Sequence, residues 1–587
     1  MNRSDFIKNT LSASLGAVAA GRSSYSVYRN TRSDLTASIS RVNDRRVGEY
    51  LNNFHQIAQS SRNRSKSSFL LTLSAAFYHN ESRYYHSAEL IHPMEETARI
   101  LIQHQHSNGT FDSGNLQSPP DSAFMVEQFW RAQALLLKDK SEQTATLRKL
   151  VETIILNAGE GLVTGGVHTP NHRWAICAAL AGVNTLYPDQ RYVDRIDDWL
   201  GEGIGQDEDG QHPERSPNYD SAVNNQGLLD VAILLKRPEL FEYVRKNLEL
   251  TLYLAEPNGE VETVASRRQD QAPGRPVMIH RYYLPYRYMA IKDQNPGFIA
   301  ITRQIETKYM SALGGYLSDF LLHSDLQDPL AASGHLPVQY AKHLTGSGLV
   351  RIKRGEKSAS IYGGSDWHLG QGAWSGLSVN PTFFKLRSGN AILESVRMSP
   401  AFFSTGYFMS NGLDARDQAF HLREERRVPY HQPLPAHARK ENGVYEMTPD
   451  GRFYSKMDFG NRPKDYLALR SEVLVREVSE SGAFELEFRV DQTENVDVTI
   501  ELCFRKGGEL SGVTAKENDS DAFFLGEGMG SYRVGNDVIE FGPGRKEHER
   551  NPQSNEQYSV HNGGITQEGY RVYITAKTPF FDTLTIR

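Results

Sequence analysis

Cysteine is almost missing from this chain: there are two among 587 residues, Cys177 and Cys503. They stand far apart, in stretches of opposite secondary-structure type. That excludes a disulfide framework and any Cys-based zinc motif, and leaves two inert buried thiols as the expectation. Long apolar runs are missing too: no stretch reaches the ~20 residues of a membrane-spanning helix. A basic excess is absent, since the net charge is −6, and this argues against a nucleic-acid partner. A local basic cleft stays open, because net charge does not report distribution. The chain has no Walker-type phosphate loop, no Rossmann fingerprint and no HExxH helix, so nucleotide chemistry and zinc proteolysis lack support.

What is there is an ordinary globular composition, 39% hydrophobic and 23% charged. The length exceeds one typical core, so two or more domains are expected. The N-terminus reads as an export signal over residues 1–25. Arg3 and Lys8 supply the basic part, LSASLGAVAA the short apolar run, and Ala17–Ala20 the small residues of a cleavage site. Arg3 to Lys8 resembles a twin-arginine signal with Ser4 in place of the second arginine. No cysteine follows the run, so a lipid anchor is not expected. The mature chain is expected in the periplasm or outside the cell.

From residue 34 to about 340 apolar residues recur at i, i+3, i+4 and i+7. The pattern predicts helices at 91–105, 121–137, 141–156, 171–186, 192–201, 219–235, 240–254, 279–291 and 297–312. Many medium-length helices in series, without heptads, point to paired helices wound into a toroid or a solenoid. The texture changes between 334 and 347. Over 346–587, hairpin signals alternate with period-two segments such as 466–477, 483–490 and 496–504. The expected fold is therefore a helical domain at 34–340 followed by an antiparallel β-sandwich.

The richest stretch reads HTPNHRW at 168–174, and then DGQHPERSPNYD at 209–220. Thr169-Pro170 suits a helix start, with Thr as cap and Pro at the first position. Asn171 and His172 then fall in the first turn, where partial positive charge and unpaired N–H groups favour an anion. A capping Asn and a surface His would explain the tripeptide alone. The second element changes that, because Tyr219 also sits near a helix start. In a toroid alternate helices begin at the same end, so both motifs face one cleft.

Asn-His followed by Asp-Gly…Glu-x-Ser-Pro-x-Tyr resembles the heparinase II/III-like polysaccharide lyases and their alginate-lyase relatives. The resemblance implies an N-terminal incomplete (α/α) toroid joined to a C-terminal antiparallel β-sandwich. It implies that Asn171 and His172 meet the substrate carboxylate, and that Tyr219 acts as acid or base. It also implies a histidine from the β-domain side. His368 is the candidate, with His280 and His421 as competitors. Some members hold a structural metal in the sandwich, but no convincing ligand set stands in this sequence, and no organic cofactor is implied.

The chemistry suits these residue types. The C5 proton of a uronate is weakly acidic, and donors preorganised at the adjacent carboxylate stabilise the charge that develops on its loss. His172 either neutralises that carboxylate or takes the proton, while Tyr219 serves the leaving oxygen. Arg267, Arg268 and His280 are expected to bind the anionic chain. Arg173, Trp174, Asn115 and Asp121 are further candidates for substrate binding, the last two beside the long loop 109–120. Two other functions compete. A glycoside hydrolase on the same toroid would use paired carboxylates among Asp207, Glu208, Asp209, Glu214 and Asp220. A non-catalytic glycan-binding protein would bind without cleaving. The expected partner is an anionic polysaccharide or oligosaccharide; the sequence is silent on oligomeric state.

Overall fold

The structure, a computed structural model, describes residues 24–271, 274, 276–331, 334–366, 378–451, 453–548 and 568–587, with side chains from residue 34 onward. The expected signal segment and His368 lie outside these residues, apart from the backbone of 24 and 25. No helix among them is long and apolar enough to cross a membrane.

The first half is two rings of helices. Asn63–Tyr78 packs on Pro119–Asp139, which packs on His172–Leu186, which packs on Asn225–Leu234, which meets Tyr283–Asp293. These inner helices alternate with outer ones at Ile91–His104, Ala145–Thr164, Gln190–Gly201, Leu240–Leu254 and Pro296–Lys308. Burial follows this order. His172–Leu186 is buried along most of its length, whereas Gln190–Gly201 buries only Tyr192 and Ile196. Local chemistry sets several starts: Ser118 accepts from the Asp121 N–H ahead of Pro119, and Asn295 accepts from Gly297 and Phe298 N–H ahead of Pro296.

Two expectations change in detail. Thr169 does not cap the helix after Pro170; that helix starts at His172 with Asn171 before it, and no side chain caps it. The single helix expected over 219–235 is interrupted. A short turn, Pro217–Tyr219, leads into a π-helical turn, Asp220–Asn224, before Asn225–Leu234 resumes. Inside it Asp220 accepts from Asn224 at 2.8 Å and from Asn247 at 3.1 Å, and such wide turns recur at functional sites.

The second half is a sandwich of a nine-stranded and an eight-stranded sheet, antiparallel but for one parallel pairing, Ala522–Leu525 with Tyr570–Lys577. Its first strand, Gln339–Leu344, precedes residue 346. The eight-stranded sheet alternates buried residues with half-buried or exposed ones, as in Ala483–Asp491. The nine-stranded sheet does not. Leu349–Arg354, Ala391–Pro400 and Asp497–Phe504 are buried almost throughout. The alternation expected at 496–504 is lost because that strand is covered on both faces, with Glu501 pairing with Arg397 at 2.9 Å on the face away from the other sheet, while other strands of the same sheet meet the helical domain. The junction is ionic. Arg351 pairs with Glu256 at 2.6 Å, Lys385 with Glu262 at 2.8 Å, and Arg387 with Glu260 at 2.6 Å. Arg505 also reaches Glu260, at 2.7 Å.

Candidate active site

Five inner-ring helix starts converge on one cleft of about 1270 Å³. They bring Arg62 and Arg64, then Asp121 and Phe124, then His168 and His172, then Asn218 and Tyr219, and finally Arg281. The partial positive charge of these helix starts favours an anion here, although the Asp121, Asn218 and Tyr219 N–H groups are already taken by Ser118, Asp270 and Ser216. Asn115, from the 109–118 loop, donates to Asp121 at 3.0 Å on the same wall.

A hydrogen-bonded chain runs behind and through this surface. The Asn171 amide donates to Glu214, and Arg268 donates to the other oxygen of Glu214. Arg268 Nη2 also donates to the Tyr219 hydroxyl at 3.2 Å, and its guanidinium lies 4.4 Å from the centre of the Tyr219 ring. Gln269 donates to the same hydroxyl at 3.1 Å. With two donors on the phenol oxygen, its own proton is left to point elsewhere. The turn under Tyr219 is fastened by Asp270, which accepts from Ser216 Oγ at 2.8 Å, from Asn218 N–H at 3.1 Å, and from Ser266 Oγ.

His172 is 8% exposed, and its Nδ1 is buried without a partner. Burial lowers its pKa to about 4, with His168, Arg268 and Arg64 adding to the effect against Asp121. The imidazole is neutral at pH 7. Its ring stands edge-on to His168 at 4.7 Å and to Phe124 at 6.0 Å.

No protein-family profile matches the chain, and no curated protein is detectably similar in sequence. Its architecture is shared with solved proteins. Heparinase III superposes with a TM-score of 0.54 at 12% identity, over 89% of this chain and 76% of that one. The chondroitin AC lyase of Streptomyces coelicolor A3, in complex with chondroitin sulphate, gives 0.51 at 11% identity, over 96% and 82%. A Paenibacillus xanthan lyase gives 0.52 at 8% identity, over 96% and 59%. The chain has the fold of polysaccharide lyases. In this chain the cleft lies at the helix-start end of the inner ring.

The lyase fold brings Tyr219, His172, Arg268, Asn115 and Asp121 to one cleft, and leaves other expected residues off it. Asn171 is 1% exposed and lies one layer behind, in contact with Glu214. Trp174 is a core side chain at 1% exposure. Arg173 lies over the Trp174 ring and pairs with Glu202 at 2.9 Å. A helix turns through 3.6 residues, so the two residues after His172 point away from the face it presents. Arg267 grips Asp366 through two hydrogen bonds of 2.6 and 2.8 Å, tying the helical domain to the sandwich. His280 packs against Tyr309, 5.3 Å between rings, one residue before the cleft-lining Arg281. Gln269, Arg64, His168, Glu127 and Arg281 also line the cleft and are not among the residues expected from the sequence. Arg64 carried the same signal as His172, a polar side chain in the first turn of an inner helix. Among the described residues no three His, Cys, Asp or Glu side chains gather as a metal-binding set.

Proposed function

We propose that the protein is a polysaccharide lyase that cleaves a uronate-containing glycan by β-elimination and leaves a 4,5-unsaturated uronosyl end. The observation that carries this is the pairing of neutral His172 with Tyr219 and its Arg268–Gln269 donors in one anion-favouring cleft. The substrate carboxylate sits among the helix starts near Arg268. The neutral imidazole of His172 takes the C5 proton, and Tyr219 protonates the departing O4, with its oxygen held by two donors as charge develops. Asn171 acts through Glu214 as a positioning residue for Arg268. The lyases of the same fold support the class. A uronate supplies the acidic C–H and the leaving group in β position that this arrangement requires.

The test is far-UV absorbance of the full-length protein with a panel of polyuronates and glucuronate-bearing glycans. A new absorbance from the conjugated double bond is expected. Tyr219→Phe should lower its rate by about 10²–10⁴-fold, the range for loss of a positioned acid or base, with an unchanged circular dichroism spectrum. New reducing ends without that absorbance would overturn elimination and favour hydrolysis.

A further inference from the structure

We infer that the sugar ring bound against Glu127 carries free hydroxyls and no sulfate ester, so that the protein selects unsulfated or sparsely sulfated uronate chains. This rests on the lyase reading of the cleft and narrows its substrate class.

Most charges in the cleft are already matched. Helix Pro119–Asp139 presents Glu127 and Arg131 to the wall. Arg131 is held by two buried carboxylates, Asp230 at 2.6 Å and Asp319 at 2.9 Å. One guanidinium against two carboxylates leaves this wall with a surplus of negative charge. Glu127 makes no ion pair among the described residues. Burial pushes its pKa up to about 8, and the nearby Asp230 and Asp319 add to this against Arg131 and Arg64. It holds its proton at neutral pH and can donate to a sugar oxygen.

The remaining arginines follow the same pattern. Arg64 pairs with Asp121, and Arg268 with Glu214. Among the described residues only Arg62 and Arg281 line the cleft without a carboxylate partner, and both are exposed. One carboxylate per uronate can be met by these two and by the helix starts. A sulfate at the inner wall would meet a carboxyl and surplus negative charge, with no free cation.

The test compares heparosan with heparan sulfate, and chondroitin with chondroitin 4-sulfate, on the full-length protein. For whichever backbone is cleaved, kcat/KM is expected to favour the unsulfated chain by about tenfold or more, the scale of one misplaced like charge. Glu127→Gln, a neutral isostere, should keep that preference, and Glu127→Lys should narrow it. Equal or faster cleavage of a sulfated chain by the wild type overturns the inference. Calorimetric binding of the same four chains to Tyr219→Phe reads selectivity apart from cleavage. Tighter binding of the sulfated members, or binding of none, overturns the inference. Preference for the unsulfated members with no cleavage by the wild type supports it and counts against the lyase reading.

Discussion

His172 shows how much one side chain's surroundings decide. Its pKa of about 4 comes first from burial. In its proposed role as the base it would stay available well below the usual histidine range. The acid limb of the kcat/KM profile is therefore expected near pH 4, far from 6.5, and a pH–rate series on the free enzyme checks it. Folding carries the opposite sign. A histidine with a lower pKa when folded favours the unfolded chain wherever the latter binds the proton. His172 thus costs stability as pH falls from 6.5 through about 4, and is neutral to stability above that window. Sequence reading could name His172 and Tyr219, because short motifs at helix starts fix where a side chain sits. It could not choose between Arg267 and Arg268. The two are adjacent and chemically alike, and the choice is made by Asp366, which claims Arg267 from the other domain. Nor could it see that Asn171 is spent on Glu214.

At the scale of elements, the site is two chain segments held by a third. The helix start at Asn171, the loop carrying Glu214 and Tyr219, and the turn carrying Arg268 and Gln269 meet at the Glu214 carboxylate. Glu214→Gln offers one acceptor where two donors need satisfying. Arg268 should then shift from Tyr219, and kcat should fall by about 10²-fold, the cost of a misplacement near 1 Å. Product formation under saturating substrate checks it; an unchanged kcat would remove Glu214 from the positioning role. The expected helices were close to the observed ones wherever 3.6-residue periodicity ran unbroken, as at Leu240–Leu254. The π-helical turn after Tyr219 was not legible, because its stabilising contact involves Asn247 from the next helix.

The whole molecule is joined through a charged seam that neither domain can satisfy alone. Arg351 is 1% exposed and faces Glu256 and Glu262. Arg351→Ala would leave buried carboxylates short of their cation, at about 3–5 kcal/mol. A lower urea midpoint measures this. The sequence showed a sandwich following the helices. It did not show that one sheet is walled on both faces, since a doubly buried strand such as Leu349–Arg354 need not alternate and its partner Glu256 lies 95 positions earlier in the chain.

The converging helix starts also set the conditions under which this cleft can work. Attraction from helix starts and from the partly buried Arg268 acts at short range and is screened less than that of exposed charges, while Arg62 and Arg281 add an exposed share that salt weakens. A groove of free lysines would instead lose its hold as salt screens it beyond ~8 Å at physiological strength. Substrate capture here is expected to change only a few-fold, roughly, between dilute buffer and brine. Measuring kcat/KM against sodium chloride would show whether the protein is fitted to habitats where electrolyte is abundant.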